Sequence, residues 1–148
     1  MALDEPVALL LPPAVRVPAR GKRQIELVDL ATDTSGLPRL PANLRWEDPA
    51  HPTMADHTVG QLYEFLSGYT LTREIGSEYE YSNLGFGLLG HALAARAGTS
   101  YEQLVRERIL KPLGVTMTGI SLTPAMKQRF ALPYGERGMS WPSGITAR

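Results

Sequence analysis

The sequence predicts a mainly α protein that forms a single domain over residues 1–148. The chain has 148 residues, which suits one compact unit with a core of ordinary size. Its apolar residues recur at helical spacing behind recognisable helix-start signals. The alternating or β-branched runs that a sizeable sheet needs are missing, and the 14 glycines and 12 prolines separate many short elements.

The amino-terminal segment predicts a short helix followed by extended chain. Asp4 is placed to cap a helix from Val7 to Leu11, and the proline pair at 12 and 13 would end it. From there to Gly21 the sequence looks extended. The run before Pro12 is too short for a signal peptide or a membrane span and lacks a basic leading region, so we expect a soluble chain that is not exported.

Two further helices are expected on either side of a polar loop. Apolar residues between 25 and 31 suit a short helix, whereas residues 40–57 show neither helical nor strand period and predict a surface loop. Thr58 and Gln61 have the spacing of a capping box, in which each side chain satisfies the other residue's free backbone amide. They predict a helix over Val59–Ser67.

The strongest helical pattern lies in the second half of the chain. It predicts one helix that ends at a left-handed glycine cap, Gly98, and a second that starts with Thr99 and Glu102 and runs to Pro112. The tail from Leu132 has no clear period. The first of these helices carries its apolar residues at Leu84, Leu88, Leu89, Ala92 and Leu93.

Composition excludes several classes of function. Lysine plus arginine equals aspartate plus glutamate at 15 each, so net charge draws the chain neither to nucleic acid nor to an anionic membrane. There is no cysteine, and the three histidines lie far apart, which argues against a metal site. We expect no metal and no cofactor.

The stretch YEYSNLGFG at 79–87 is the main candidate for chemistry. Tyr81 could act as a general base if a cationic neighbour lowered its pKa from about 10, and Asn83 could present its amide to a substrate carbonyl. A structural role explains the same residues, with Ser82 or Asn83 capping the helix and the tyrosine rings packing on the core. The motif alone leaves both interpretations open.

Three longer stretches carry a resemblance that covers about residues 3–134. They are TSGLPRLP at 34–41, EYEYSNLGFGLLGHALAARAGTSYEQLV at 78–105 and RILKPLGVTMTGI at 108–120. Their order and spacing resemble the serine β-lactamase-like hydrolases of the class C branch, which include D-alanyl-D-alanine carboxypeptidases and related esterases. The resemblance implies the helical domain of that fold. It also implies that Tyr81 assists proton transfer and that Asn83 binds substrate and the catalytic lysine.

The same resemblance shows which elements the sequence does not contain. None of the serines is followed by lysine three places on, so the Ser-x-x-Lys nucleophile of the family is absent. The family's third motif, Lys or His followed by Thr or Ser and Gly, is absent too. The chain thus resembles the helical domain truncated at both ends, and many family members are periplasmic or secreted. Asp33 stands where relatives commonly carry histidine, which leaves the hydrogen bonding of that turn open.

Other candidates are better explained by structural roles. Ser35 is expected in a turn, His91 as a half-buried packing residue, and His51 and His57 in the exposed loop. The three acids near the motif are ordinary partners of a helix dipole rather than a pair for glycoside chemistry; they are Glu74, Glu78 and Glu80.

Three functions follow as hypotheses. The first is a truncated β-lactam, D-alanyl-peptide or ester hydrolase that is inactive by itself because the nucleophile is missing. The second is a binding module that self-associates, as a dimer for example, through an exposed apolar face. The third is a small esterase or β-lactam hydrolase that uses Ser82 or another nucleophile outside the family pattern.

Overall fold

The structure, a computed structural model, describes residues 2–44 and 57–131. Its contacts divide the chain into two units: residues 2–44 and 57–101 belong to the first, and residues 102–131 belong to the second. The assignment of residues 1–148 to one domain stays a prediction. The central part of the expected loop and the tail from Leu132 lie outside the described residues.

The first unit begins with a single turn of 3-10 helix at Val7–Leu10. It lies where the sequence predicts a helix, but the expected cap is wrong: the cap position is Pro6, and no side chain caps the turn. The Val7 amide donates to the Ile25 carbonyl at 2.9 Å, and Pro6 forms a bridge with Glu26. The turn is therefore held by a segment that lies far along the chain.

A small antiparallel hairpin follows, with β1 at Ala19–Arg20 and β2 at Arg23–Gln24. Gly21 has φ +57 and occupies the first of the two turn residues, where a two-residue hairpin needs a backbone that glycine adopts readily. This is the only sheet within residues 2–44 and 57–131. The hairpin was not predicted, because two residues per strand give no readable alternation.

Helix α1 occupies Leu27–Ala31 and starts with a reciprocal capping box between Glu26 and Asp29. Asp29 is buried, and its carboxylate accepts hydrogen bonds from the Glu26 amide at 2.8 Å and from the Arg23 guanidinium at 3.1 Å. The buried charge is thus both hydrogen-bonded and paired, as burial of a carboxylate requires. The short helix expected between residues 25 and 31 is confirmed.

The two longer helices of this unit follow the sequence signals closely. Helix α2 spans Val59–Gly68 behind the capping box of Thr58 and Gln61, as predicted. Helix α3 spans Asn83–Ala97 and ends at Gly98, whose φ of 64 is the left-handed cap that the sequence predicts.

The apolar core of the first unit lies among the 3-10 turn, α1, α2 and α3. Helix α3 packs on α1 and on the 3-10 turn, because its buried residues recur at helical spacing and form one face. The core residues are Val7, Leu10, Leu11, Ile25, Leu27, Leu30, Leu37, Leu62, Phe65, Leu66, Leu71, Leu84, Leu88 and Ala92.

The chain after α3 departs from the single helix expected between Thr99 and Pro112. Helix α4 covers only Tyr101–Val105, and a π-helical turn at Arg106–Leu110 continues it. The Glu102 carboxylate accepts the amides of Ser121 and Ile120 at 3.0 and 2.9 Å. These hydrogen bonds lower the pKa of Glu102 below its ordinary value. Helix α5, at Pro124–Gln128, follows behind the Thr123 cap.

The mainly α fold class is confirmed, with five α-helices and one two-stranded sheet in the part of the chain that the structure describes. In those same ranges no helix combines the length and the apolar character needed to cross a membrane.

Candidate functional site

Ser82 organises the tyrosine motif from a buried position. Its side chain is almost fully buried, at 1% exposure, and its hydroxyl accepts the Gly85 amide at 2.8 Å, which caps α3. The same hydroxyl donates to the Pro38 carbonyl at 2.7 Å, and the Ser82 amide donates to Asp33 Oδ1 at 3.0 Å. Ser82 is therefore the cap that the sequence left undecided between Ser82 and Asn83.

Burial of Ser82 determines where its two neighbours lie. Ser82 has extended backbone angles, φ −133 and ψ 104, and successive residues of extended chain point to opposite sides. Tyr81 is accordingly 51% exposed, and Asn83 is half-buried as the first residue of α3. The expectation that the tyrosine rings pack on the core is wrong for Tyr81 and Tyr79, both of which are exposed. The structural role as a cap thus belongs to Ser82, and it does not account for Tyr81 or Asn83.

Asp33 holds the segment that leads into the motif. It has a positive φ of 55, which aspartate tolerates better than most residues, and it is buried. Its carbonyl accepts the Glu80 amide at 2.8 Å while its carboxylate accepts the Ser82 amide. Asp33, which stands where a histidine was expected, therefore binds two backbone amides of the segment that leads into the motif. The sequence pattern did not indicate that its partner, Ser82, would lie 49 positions away.

Arg39 lies beside Tyr81. The centre of its guanidinium is 5.8 Å from the centroid of the Tyr81 ring, within reach of a cation–π contact, and the side chain is exposed. Its backbone carbonyl accepts the Leu84 amide of α3 at 3.2 Å. Sequence reasoning missed Arg39, although the need of Tyr81 for a cationic neighbour and the position of Arg39 in TSGLPRLP were available signals.

His91 is the half-buried packing residue that its helix position predicts. Its Nε2 lies 2.7 Å from the Tyr63 hydroxyl, and the two rings meet edge to face. Burial lowers the pKa of His91 and raises the pKa of Tyr63, because both charged forms lose hydration. Both shifts favour the neutral forms, which suit a packing contact.

The remaining candidates have mainly structural partners. Ser35 is buried, and its hydroxyl accepts the Leu37 amide at 3.3 Å, which fits the expected turn role. His57 is half-buried rather than exposed, and burial lowers its pKa. Glu74 pairs with Arg20 at 2.9 Å and Glu80 pairs with Arg73, so these two acids bind arginines instead of a helix amino terminus. His51 lies outside the described residues.

No cluster of three or more His, Cys, Asp or Glu residues suited to a metal ion occurs in ranges 2–44 and 57–131. The candidate site comprises Tyr81 and Asn83 at the start of α3, with the Arg39 cation next to the tyrosine. Such an arrangement can bind an anionic or carbonyl-bearing ligand and can exchange a proton through the phenol hydroxyl.

Comparisons with known proteins agree with this fold. The beta-lactamase family model matches residues 1–145. The D-alanyl-D-alanine-carboxypeptidase/endopeptidase AmpH of Escherichia coli strain K12 is 41% identical over 142 residues, which cover 93% of this chain and 34% of that protein.

Solved structures match in the same way. A beta-lactamase/D-alanine carboxypeptidase from Yersinia pestis superposes with a TM-score of 0.82 at 30% identity, over 95% of this chain and 40% of that one. A class C beta lactamase from Rhodobacter sphaeroides superposes with a TM-score of 0.72 at 28% identity, over 95% of this chain and 36% of that one. The chain thus spans less than half of each of these relatives. It belongs to the beta-lactamase family and corresponds to the helical domain of that fold.

Proposed function

We propose that Tyr81 and Asn83 form one wall of an acyl-hydrolase site for a β-lactam, a D-alanyl peptide or an ester. Tyr81 would pass a proton to or from the reacting groups, and Asn83 would hold the substrate carbonyl with its amide. The observation that carries this proposal is the buried Ser82, which holds both neighbours at the start of α3. Positioning of this kind is a large part of what an active site contributes to catalysis.

The chain by itself should not turn over such substrates. Acyl transfer of the family type needs a serine activated by a lysine, and no serine of this sequence has a lysine three places on. Catalytic groups that act as a unit lose activity together when one of them is removed. Tyr81 and Asn83 are therefore not expected to retain part of the catalytic activity without the serine and the lysine.

Ser82 is a poor substitute nucleophile in this structure. Its hydroxyl is buried, donates to the Pro38 carbonyl and accepts the Gly85 amide, so attack on a substrate would break the cap of α3. The esterase alternative through Ser82 is therefore not favoured by the geometry.

The test is an assay of the purified chain with nitrocefin and with short-chain p-nitrophenyl esters. A fluorophosphonate serine probe with an intact-mass readout belongs in the same experiment. We expect no turnover above buffer and no mass adduct, because no activated serine is available.

A Tyr81→Phe variant serves as the matched control, because it removes only the phenol hydroxyl. Turnover in the parent chain that disappears in this variant would contradict the claim of inactivity. An adduct mapped to Ser82 would instead support the esterase alternative.

A second candidate function is a module that associates with a second copy of itself. The observation that favours it is the exposure of large apolar side chains in the second unit. In general, large apolar patches on a protein surface tend to mark interaction sites. Between residues 102 and 131 the exposed ones are Ile109, Leu113, Val115, Met117, Ile120 and Phe130, whereas Met126 is buried.

A further inference from the structure

We infer that Arg39 selects ligands that carry a carboxylate at the site formed by Tyr81 and Asn83. The inference rests on the proposed function, because it concerns the ligand of that same site. It begins from a contact: the Arg39 guanidinium lies 5.8 Å from the Tyr81 ring centroid. A substrate held by Tyr81 and Asn83 would have this cation beside it.

The backbone of Arg39 is fixed to the motif. Its carbonyl accepts the Leu84 amide in the first turn of α3, and the preceding carbonyl, of Pro38, accepts the Ser82 hydroxyl. Two consecutive carbonyls thus bind two residues of the motif. The Arg39 side chain starts from a point whose position relative to Tyr81 is set by the fold.

The charge of Arg39 is not neutralised by the described residues. Within 2–44 and 57–131, Arg39 forms no ion pair with an aspartate or a glutamate, whereas Arg20 and Arg73 each pair with a glutamate. A guanidinium that lies over an aromatic ring at this distance can keep N–H groups available for a ligand. Those edges can donate two parallel hydrogen bonds to one carboxylate.

This arrangement distinguishes between the substrate classes of the proposed function. A β-lactam and a D-alanyl peptide both carry a carboxylate at neutral pH, whereas a simple ester does not. An exposed guanidinium at the edge of the site attracts the carboxylate of a β-lactam or a D-alanyl peptide, and it has no charge to attract on a neutral ester. The structure therefore favours carboxylate-bearing ligands over neutral esters.

The test compares two peptides that differ only in charge: N-acetyl-D-alanyl-D-alanine and its carboxyl-terminal amide. Each is titrated into the ¹⁵N-labelled chain while the amide signals of Tyr81, Asn83 and Leu84 are followed. We expect the acid to bind about threefold more tightly than the amide, as for an ion pair that is open to water. The preference should shrink as salt is raised.

Two variants decide whether Arg39 is responsible. Arg39→Leu should abolish the preference for the acid, and Arg39→Lys should restore part of it, because lysine keeps the charge without the planar fork. Lys22→Leu, at the exposed turn of the hairpin, removes the same charge and should leave the preference unchanged.

Each remaining outcome is decisive. Equal binding of both peptides at the Tyr81 signals, or a preference that survives Arg39→Leu, would overturn the inference and leave the proposed site intact. If neither peptide perturbs the signals around Tyr81, the proposed function fails and the inference fails with it.

Discussion

Individual residues set the geometry of the motif, and Ser82 has the largest share. One hydroxyl serves the Gly85 amide and the Pro38 carbonyl, while the backbone amide binds Asp33. The hydrogen bonds to Gly85 and Asp33 are buried, and the one to Pro38 is partly buried. Removing the hydroxyl would leave a donor and an acceptor without their partner.

We predict that Ser82→Ala lowers the free energy of unfolding by about 2 kcal/mol. The loss combines a helix cap with the desolvation cost of the two groups left unpaired. Urea unfolding followed by circular dichroism measures it. The control is Ser77→Ala: Ser77 is exposed, and its hydroxyl bonds only the nearby Glu74 carbonyl, so its loss should stay below about 0.5 kcal/mol. Equal losses in the two variants would contradict the role given to Ser82.

For individual residues, the sequence predicted the position of the motif better than it predicted the role of each residue in it. Serine and asparagine are both good caps, so local pattern could not choose between Ser82 and Asn83. The choice depends on Asp33 and Pro38, which lie more than forty positions earlier in the chain. The sequence indicated that Tyr81 needs a cationic neighbour and contained Arg39 in TSGLPRLP, but it did not indicate that the two are in contact, because that contact is tertiary.

Among the elements, α3 presents the candidate residues, and its two ends are built differently. The start depends on the Ser82 side chain, whereas the end depends on the backbone of Gly98, with φ 64. Gly87 lies within the same helix, is exposed and has open space where a side chain would begin. The same substitution at these two glycines should therefore have opposite effects.

We predict that Gly87→Ala raises the free energy of unfolding by about 0.5 to 1 kcal/mol, because alanine favours the helical backbone. Gly98→Ala should lower it by about 1 kcal/mol. No atom lies within 4 Å of the added Cβ at Gly98, so strain of the left-handed backbone accounts for the whole loss. Thermal unfolding of both variants beside the parent measures the effects, and a change of the same sign in both would refute this account of the helix ends.

Elements with a local stop or start signal were predicted well. The capping box before α2 and the glycine after α3 have side-chain and backbone requirements that can be read from a few adjacent residues. The hairpin and the π-helical turn were not predicted. Strands of two residues carry no period, and the turn at Arg106–Leu110 has the same apolar spacing as ordinary helix.

For the molecule as a whole, the distribution of apolar surface differs between the units. The first unit buries a contiguous core, while the described part of the second unit exposes most of its large apolar side chains. The formal net charge is zero, so no overall repulsion opposes contact between copies. A second copy would be one way to cover that surface.

We predict that the chain self-associates through the second unit. Light scattering coupled to size-exclusion chromatography should give a mass that rises with concentration toward that of a dimer. Leu113→Glu and Ile120→Glu, at positions 71% and 62% exposed, should return the mass to that of a monomer. Leu9→Glu, at a 71% exposed position of the first unit, is the matched control and should not. A monomer at every concentration would count against the module function.

The family and the helical domain could be predicted from sequence because long stretches in the right order are specific. The division into two units was not predicted, since it depends on which contacts form rather than on any local pattern. The absence of the Ser-x-x-Lys element was likewise evident from sequence alone.

The partners of Ser82 have a consequence for folding. Its hydrogen bonds reach back 44 and 49 positions, so the chain between them must close a long loop before the motif takes shape. Long-range contacts of this kind form with the cooperative fold and not before it. The arrangement of Tyr81 and Asn83 is therefore preorganised when the first unit folds, and it disappears in the same transition when that unit unfolds. If the proposed site binds a ligand, that ligand does not have to order Tyr81 and Asn83.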